Sequence, residues 1–339
     1  MNLPAAIVIL VLLLFGPLAF HLIERNIELY CLALGIIATI FAGGFEREVV
    51  EHAVTEPILI SVAVIVAGLV FGWTRQNLEG LFAKLRHRVP RAILAGGAIL
   101  VLAALSSLIT AIVAALVLVE VVGLLHLDDR ARTNVTVAGC FAIGLGAALT
   151  PIGEPLSTLA AHALGLGFFG LFELLAPYVI PGMIAASIAA GMFAREGGGR
   201  APQSHVRAAE QSPSAAVVQG VKVFAFIAGL VLISNAYAAL ATRYVAALSS
   251  DALFWANTVS AALDNATLVA LEVHDMTLVR AREAILALLV SGGMLIPGNI
   301  PNIVSAGALR IGSVEWARLG VPMGLVMLGI YFAVLKILA

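Results

Sequence analysis

Long apolar runs follow one another along most of the chain, with short polar stretches between them. Runs of about the length that a helix needs to cross a hydrocarbon core of about 30 Å lie near residues 3–22, 27–43, 54–73, 167–193, 216–240 and 316–338. The pattern therefore predicts an all-α polytopic membrane protein. The first run lacks the basic region and the cleavage site of a signal peptide, so we expect it to be a retained helix.

Two further apolar runs, 133–166 and 283–311, are each interrupted by a motif with two prolines at the same spacing. The first motif reads TPIGEP (150–155) and the second reads IPGNIP (296–301). Proline removes a backbone donor and clashes with the preceding turn, so each motif predicts an unwound segment inside a membrane helix. Matching interruptions in two halves of a chain indicate the substrate site of a secondary transporter.

Two regions, 91–127 and 250–277, are too long for one helix and too short for two full crossings. We expect each to form a re-entrant helical hairpin with arms of about 12–16 residues. Both regions carry polar residues near the middle, namely Ser106, Ser107 and Thr110 in the first and Asn257, Thr258, Ser260, Asp264, Asn265 and Thr267 in the second.

Basic residues predict the orientation of these hairpins. By the positive-inside rule, both ends of the first hairpin and the polar linker 194–215 face the cytoplasm. One crossing later, the second hairpin opens to the outside, which leaves Arg280 and Arg282 on the outside against the rule. The residues behind this assignment are Lys84, Arg86, Arg88, Arg91, Arg130 and Arg132 around the hairpin and Arg195, Arg200 and Arg207 in the linker.

The order of elements predicts an inverted repeat. Residues 1–53 form two additional N-terminal helices. Repeat one (54–193) and repeat two (216–339) each contain a helix, a hairpin, a broken helix and a helix. Residues 105–111 (LSSLITA) align with residues 259–265 (VSAALDN), and this alignment places Asp264 opposite Thr110.

Composition agrees with a membrane protein. The 339 residues are 61% hydrophobic and 12% charged, whereas a soluble domain carries roughly 25% charged residues. A net charge of −1 gives no sign of nucleic-acid binding. Cys31 and Cys140 lie in apolar runs and are expected to be small core residues. No Walker loop, dinucleotide fingerprint, hydrolase triad or cysteine metal site is recognisable, so we expect no enzyme activity and no organic cofactor.

Asp264 and Asn265 are the sharpest candidates for chemistry. A carboxylate at membrane depth is costly and indicates function by default. Asp264 offers a hard oxygen ligand for Na⁺ and can also carry a proton, while Asn265, Thr267 and Ser260 offer neutral oxygens. The structural alternative is a helix cap at the hairpin tip.

Glu154, inside the first interruption, is the second candidate carboxylate. It either complements the N-terminus of the following half-helix or binds a proton or cation. Ser106, Ser107 and Thr110 either ligate Na⁺ or let helices approach closely. Neutral oxygens expected near the two interruptions belong to Thr150, Ser157 and Thr158 in the first and to Asn299, Asn302 and Ser305 in the second.

This order of hairpins and broken helices resembles the ion transporter superfamily. Residues 260–265 and 150–158 look most like motifs of NhaD-type sodium/proton antiporters, and the segment 24–29 (ERNIEL) resembles a smaller family of predicted cation transporters. The resemblance implies a homodimer with an elevator mechanism and cation sites where each hairpin tip meets a broken helix. The first hairpin departs from the antiporter pattern, because Thr110-Ala111 stands where an acidic-amide pair is common.

Three hypotheses follow. The first is secondary transport of a cation, with Na⁺ exchanged for H⁺, Asp264 as the principal carboxylate and Glu154 assisting. The second is Na⁺-coupled symport of a small anion bound at half-helix N-termini. The third is a passive channel or a non-transporting scaffold. The expected location is the bilayer of a prokaryotic inner membrane.

Overall fold

The computed structural model describes residues 3–19, 23, 26–55, 57–58, 61–62, 65–66, 88–196, 213–245, 248–258, 265–273 and 276–338. The molecule is all-helical, and no strand occurs among these residues. The helices of the first half are α1 (Leu3–Ala19), α2 (Ile27–Ala42), α3 (Arg91–Ile109), α4 (Ala111–Leu124), α5 (Asp129–Ala147), α6 (Pro155–Ala163) and α7 (Gly170–Glu196).

The second half repeats a similar succession of long and short helices. They are α8 (Pro213–Val245), α9 (Ser250–Ala256), α10 (Asn265–Glu272), α11 (Leu278–Gly292), α12 (Ile300–Leu309) and α13 (Ser313–Leu338), with a 3₁₀ turn at Ile296–Gly298 between α11 and α12.

Side-chain caps mark the starts of four of these helices, α4, α5, α9 and α11. The Asp128 carboxylate accepts a hydrogen bond of 2.8 Å from the Ala131 amide at the start of α5. Ser249 caps α9 and Thr277 caps α11 in the same way. Such caps satisfy amides that have no partner inside the helix, so both interrupted helices and the second hairpin begin at a defined residue.

Within the described ranges, four helices are long and apolar enough to cross a membrane. The candidate spans are Arg91–Ile109, Gly170–Arg195, Gly220–Tyr237 and Ser313–Ile337. The apolar parts of α1 and α2, Pro4–Leu13 and Glu28–Ala42, are shorter. The run predicted at 54–73 lies mostly outside the described residues.

The interrupted helices occupy the centre of the molecule. In α5, the side chains from Val135 to Ala147 are buried, and α11 is buried from Ala284 to Gly292. The first half surrounds α5 with α3, α4 and α7, and α11 contacts α9, α10 and α13. The backbones of α3 and α7 approach closely at Gly96, because glycine has no Cβ. A Cβ at this position would lie 2.9 Å from the Ser187 carbonyl oxygen.

Helix α3, the first arm of the first hairpin, has 19 residues and is longer than the expected arm of about 12–16 residues. In the second hairpin, α9 and α10 border residues 259–264, which lie outside the described part of the chain, so the expected arm lengths stay a prediction there. Helix α3 continues past its polar residues because Ser106 and Ser107 donate their hydroxyls to the carbonyls three residues earlier, Ala103 and Ala104. This local bond lets serine remain in a helix, and α3 ends only at Thr110.

Candidate functional site

The first interruption separates α5 from α6. Helix α5 ends at Ala147, and α6 begins at Pro155, where a missing amide costs nothing. Glu154 precedes Pro155 in extended conformation (φ −158°, ψ 160°) and is 6% exposed. Its carboxylate makes no capping hydrogen bond to α6, so hydrogen-bonded capping does not account for a buried acid here.

The second interruption has the same backbone form. Helix α11 ends at Gly292, and α12 begins at Ile300 after the 3₁₀ turn. Asn299 takes the place of Glu154, with φ −155° and ψ 145°, and Pro301 follows in the first turn. The two proline motifs therefore produce equivalent unwound segments, one ending in a carboxylate and the other in an amide.

The tip of the first hairpin docks on the first interruption. The Ala111 amide donates to the Gly153 carbonyl over 2.8 Å, and the Thr150 hydroxyl donates to the Ser107 carbonyl. Between α3 and α4, Thr110 has φ 74°, a region that a β-branched residue rarely occupies. The tip is thus held in a strained conformation by bonds to the unwound segment.

Hydroxyl groups in this region mostly serve the backbone. Ser106 Oγ lies 3.0 Å from the Ile143 carbonyl of α5 and joins the two helices, as the packing alternative expects. Ser157 donates to the Ala147 carbonyl over 3.4 Å, and Thr158 donates to the Pro151 carbonyl over 2.5 Å. These hydroxyl oxygens lie along the unwound loop, and the hydrogen bonds that the hydroxyls donate stabilise the conformation of that loop.

The second hairpin meets the second interruption through Asn265. Its Nδ2 donates to the Leu288 carbonyl of α11 over 2.7 Å, and the residue is 5% exposed. Gly292 faces the same amide, and a Cβ added there would also lie 2.8 Å from the Gly298 carbonyl oxygen. The absence of a side chain at Gly292 is what lets α10, α11 and the 3₁₀ turn converge.

Ser260, Asp264 and the side chain of Thr267 lie outside the described part of the chain. Their roles in the cation site therefore stay predictions. Asn265 directly follows Asp264 in sequence, which ties the predicted carboxylate to the start of α10.

Asn302 closes the second interruption from the α12 side. Its Nδ2 donates to the Gly292 carbonyl over 2.7 Å and to the Leu295 carbonyl over 2.9 Å, and the residue is fully buried. The NH₂ groups of both Asn265 and Asn302 face carbonyls, so turning either amide over would bring two oxygens together. The Oδ1 atoms of both residues are buried and have no hydrogen-bond partner among the described residues.

The two interruptions share one packed centre. Asn299 lies against α5, since a Cβ at Gly144 would be 2.9 Å from its Nδ2. Cys140 Sγ, also on α5, lies 3.4 Å from Ser305 Oγ and 3.6 Å from the Pro301 carbonyl oxygen. The neutral oxygens predicted for the second interruption are therefore gathered beside the helix that leads into the first.

The donor set consists mainly of neutral oxygens. Within the described ranges, no group of three or more His, Cys, Asp or Glu side chains occurs that could hold a metal ion. The groups that are present are amide, hydroxyl and carbonyl oxygens with the Glu154 carboxylate, which suit a hard cation of low charge.

A second buried acid, Glu272, does not stand out in the sequence pattern. It ends α10 and accepts a hydrogen bond of 2.8 Å from Asn257 Nδ2 at the end of α9. The two residues are 5% and 4% exposed. Glu272 lies outside the four candidate spans, and burial raises the pKa of its carboxyl from 4.5 to about 7, while the Asn257 hydrogen bond opposes that rise.

Helices of membrane-spanning length, together with two interrupted helices gathered in a buried centre, define an integral helical membrane protein. Residues 3–338 match the family described as a protein of unknown function, DUF1646. The chain belongs to that family. A comparison with curated proteins returned no match.

Proposed function

We propose that this protein is a secondary active cation transporter that exchanges Na⁺ for H⁺. The observation that carries the proposal is the pair of buried amide oxygens, Asn265 Oδ1 and Asn302 Oδ1, held beside an unwound membrane-helix segment. A buried polar atom without a partner is costly. Such a cost is understandable where the atom coordinates an ion that comes and goes.

The proposed cation site lies where the second hairpin meets the second interruption. Asn265 and Asn302 supply amide oxygens, and Asn299 and Ser305 lie in the same interruption. Asp264, the residue before Asn265, is proposed as the ionised ligand that matches the charge of Na⁺. At the first interruption, Glu154 is proposed as a second carboxylate, with Thr150, Ser157, Thr158 and the tip residues Ser106, Ser107 and Thr110 around it.

Helix contacts support the proposed inverted repeat. Helix α4, the second arm of hairpin one, packs on α12, the second half of the other repeat's broken helix. In the same way, α10 packs on α6. The contacts α3–α5 and α5–α7 likewise have the counterparts α9–α11 and α11–α13. Equivalent partners in both halves are expected of a transporter built from inverted repeats around a central site.

The proposed elevator mechanism divides the molecule into a scaffold and a moving part. We assign helices α2 and α8 to the scaffold. They pack closely against each other, since a Cβ at Gly229 would lie about 2.5 Å from the backbone of Cys31 and Leu32. The hairpins and broken helices form the proposed moving part. A homodimer and a bilayer of the prokaryotic inner membrane belong to the same proposal and rest on the resemblance.

Sodium-coupled anion symport is the second candidate, and the site favours it less. An anion at the α6 N-terminus would meet the buried Glu154, whose charge repels it. Cation exchange places no anion beside Glu154, and it gives a role to both proposed carboxylates, Asp264 and Glu154.

Proteoliposomes with an internal pH-sensitive dye test the proposal. An imposed Na⁺ gradient is expected to move protons in the opposite direction, and Asp264→Asn is expected to abolish this movement. Asp251→Asn is the matched control, because Asp251 is 54% exposed and pairs with Lys336 at the start of the same hairpin. Absence of Na⁺-driven proton movement by the unaltered protein would contradict antiport.

A further inference from the structure

We infer that Glu272, with Asn257 as its hydrogen-bond donor, is a proton-binding site between the two arms of the second hairpin, separate from the cation site proposed around Asn265 and Asn302. That this proton takes part in exchange rests on the proposed function. The chemistry is a simple equilibrium in which the carboxylate takes up one proton to become the neutral acid.

The geometry that carries the inference is a buried acid–amide pair joining the two arms of the hairpin. Asn257 follows the last residue of α9, and Glu272 is the last residue of α10. Asn257 Nδ2 lies 2.8 Å from Glu272 Oε2, and both side chains are buried. A single amide donor does not replace the solvation that an ionised carboxylate loses on burial.

No described cation compensates the charge of Glu272. Helices α6, α8 and α11 pack on α10, and none of their described side chains forms an ion pair with Glu272. Three of the described basic groups there are engaged elsewhere, since Lys222 pairs with Glu28, Arg280 donates to the Leu248 carbonyl and Arg282 stacks on Tyr178. The described titratable groups on these helices and on α9 are Glu154, His162, Lys222, Tyr237, Arg280, Arg282, Glu283 and Asp251.

The first hairpin shows that this pair is not required to close such a hairpin. When the alignment of 105–111 with 259–265 is continued without gaps, Asn257 corresponds to Ala103 and Glu272 to Leu118. Both counterparts are completely buried and apolar. The second hairpin therefore has an ionisable pair at positions where its counterpart packs hydrocarbon.

The environment of Glu272 suits reversible protonation near neutral pH. Its raised pKa of about 7 means that both forms are populated there, as a group that loads and releases protons requires.

Infrared difference spectroscopy of the purified full-length protein between pH 5 and 9 tests the inference directly. We expect a protonated-carboxyl band that titrates near pH 7 and disappears in Glu272→Gln. Because the Asn257 hydrogen bond lowers the pKa of Glu272, Asn257→Ala should move the titration to higher pH. Glu173→Gln, an exposed position on α7, should leave the band unchanged.

A second variant guards against misfolding. The double substitution Asn257→Ala with Glu272→Leu installs the pair of the first hairpin, so it should fold and still lose the band. A band near pH 7 that persists in both Glu272 variants would overturn the inference, and so would the absence of such a band from the unaltered protein.

The exchange assay separates this inference from the proposed function. If the unaltered protein moves protons with Na⁺ and Glu272→Gln shifts the pH dependence of exchange, both stand. If exchange is present and its pH dependence is unchanged in Glu272→Gln, the role of this proton in exchange is overturned and antiport remains. If Na⁺ moves no protons while the band still titrates, antiport fails and the proton site stands.

Discussion

At the scale of single residues, two amide groups define the centre of the second interruption. Asn265 and Asn302 each use NH₂ to hold backbone carbonyls, which orients their buried Oδ1 atoms. The hydrogen bonds made by the two NH₂ groups have ordinary lengths. The unusual feature is that the two buried Oδ1 atoms have no hydrogen-bond partner among the described residues. This arrangement depends on Gly292, the point where both amides meet the end of α11.

Gly292→Ala tests that dependence. The added methyl group would collide with Asn265 Nδ2 and lie 2.8 Å from the Gly298 carbonyl oxygen, so we expect a loss of about 1–3 kcal/mol in stability and weaker Na⁺ binding. Gly97→Ala on α3 is the control, because nothing lies within 4 Å of its Cβ. Thermal unfolding in detergent compares the two. Equal stability of both variants would contradict the close packing proposed at Gly292.

At the scale of elements, each proline motif separates two helices whose neighbours are hairpin arms. The TPIGEP motif occupies the loop between α5 and α6, and IPGNIP forms the 3₁₀ turn and the start of α12. Both motifs therefore fall where one helix ends and the next begins. The joint between hairpin and interruption is made by the Ala111–Gly153 and Thr150–Ser107 bonds in the first half.

Thr150→Val probes this joint by removing one hydroxyl with little change in shape. We expect the tip to loosen by about 1 kcal/mol, because the Ser107 carbonyl loses its donor from the interruption. Hydrogen exchange of residues 105–115 should become faster. Thr158→Val is the control, since its hydroxyl bonds carbonyls within the interrupted segment itself. Unchanged exchange at the tip in Thr150→Val would mean that the bond does not hold the hairpin.

The interruptions could be predicted from the sequence because proline acts on its own neighbours. The length of α3 could not be predicted from the sequence. A serine in an apolar run suggests a polar hairpin tip, and only the structure shows that the Ser106 hydroxyl bonds the preceding turn of the helix. The importance of Gly292 and the orientation of Asn302 depend on contacts between helices far apart in sequence. Glu272 does not stand out in the sequence because its partner Asn257, fifteen residues earlier, reaches it only in the folded protein.

At the scale of the whole molecule, two exceptions to the positive-inside rule have structural partners. Arg280 donates to the Leu248 carbonyl over 2.8 Å, and the Arg282 guanidinium lies 5.0 Å from the centre of the Tyr178 ring. Because protein groups engage both side chains, they are weaker guides to orientation than free loop cations. The proposed inverted topology can accommodate them on the outside.

Cysteine labelling tests that topology. Asp129→Cys and Leu278→Cys place a thiol at the exposed first residues of α5 and α11, which the proposed inverted repeat would make equivalent but opposite in orientation. We expect a membrane-impermeant maleimide to label Leu278→Cys from outside and Asp129→Cys only after the membrane is opened. The buried native residues Cys31 and Cys140 should remain unlabelled. Labelling of both introduced thiols from one side would contradict the inverted repeat.

The most direct test of the central claim is calorimetric titration of the purified protein with NaCl, using choline chloride to correct for ionic strength. The account predicts saturable Na⁺ binding that is weakened about tenfold or more in both Asn302→Leu and Asn265→Leu and is unchanged in Gly97→Ala. Absence of Na⁺ binding by the unaltered protein, or equal affinity in the asparagine variants, would contradict a cation site built from the buried amide oxygens.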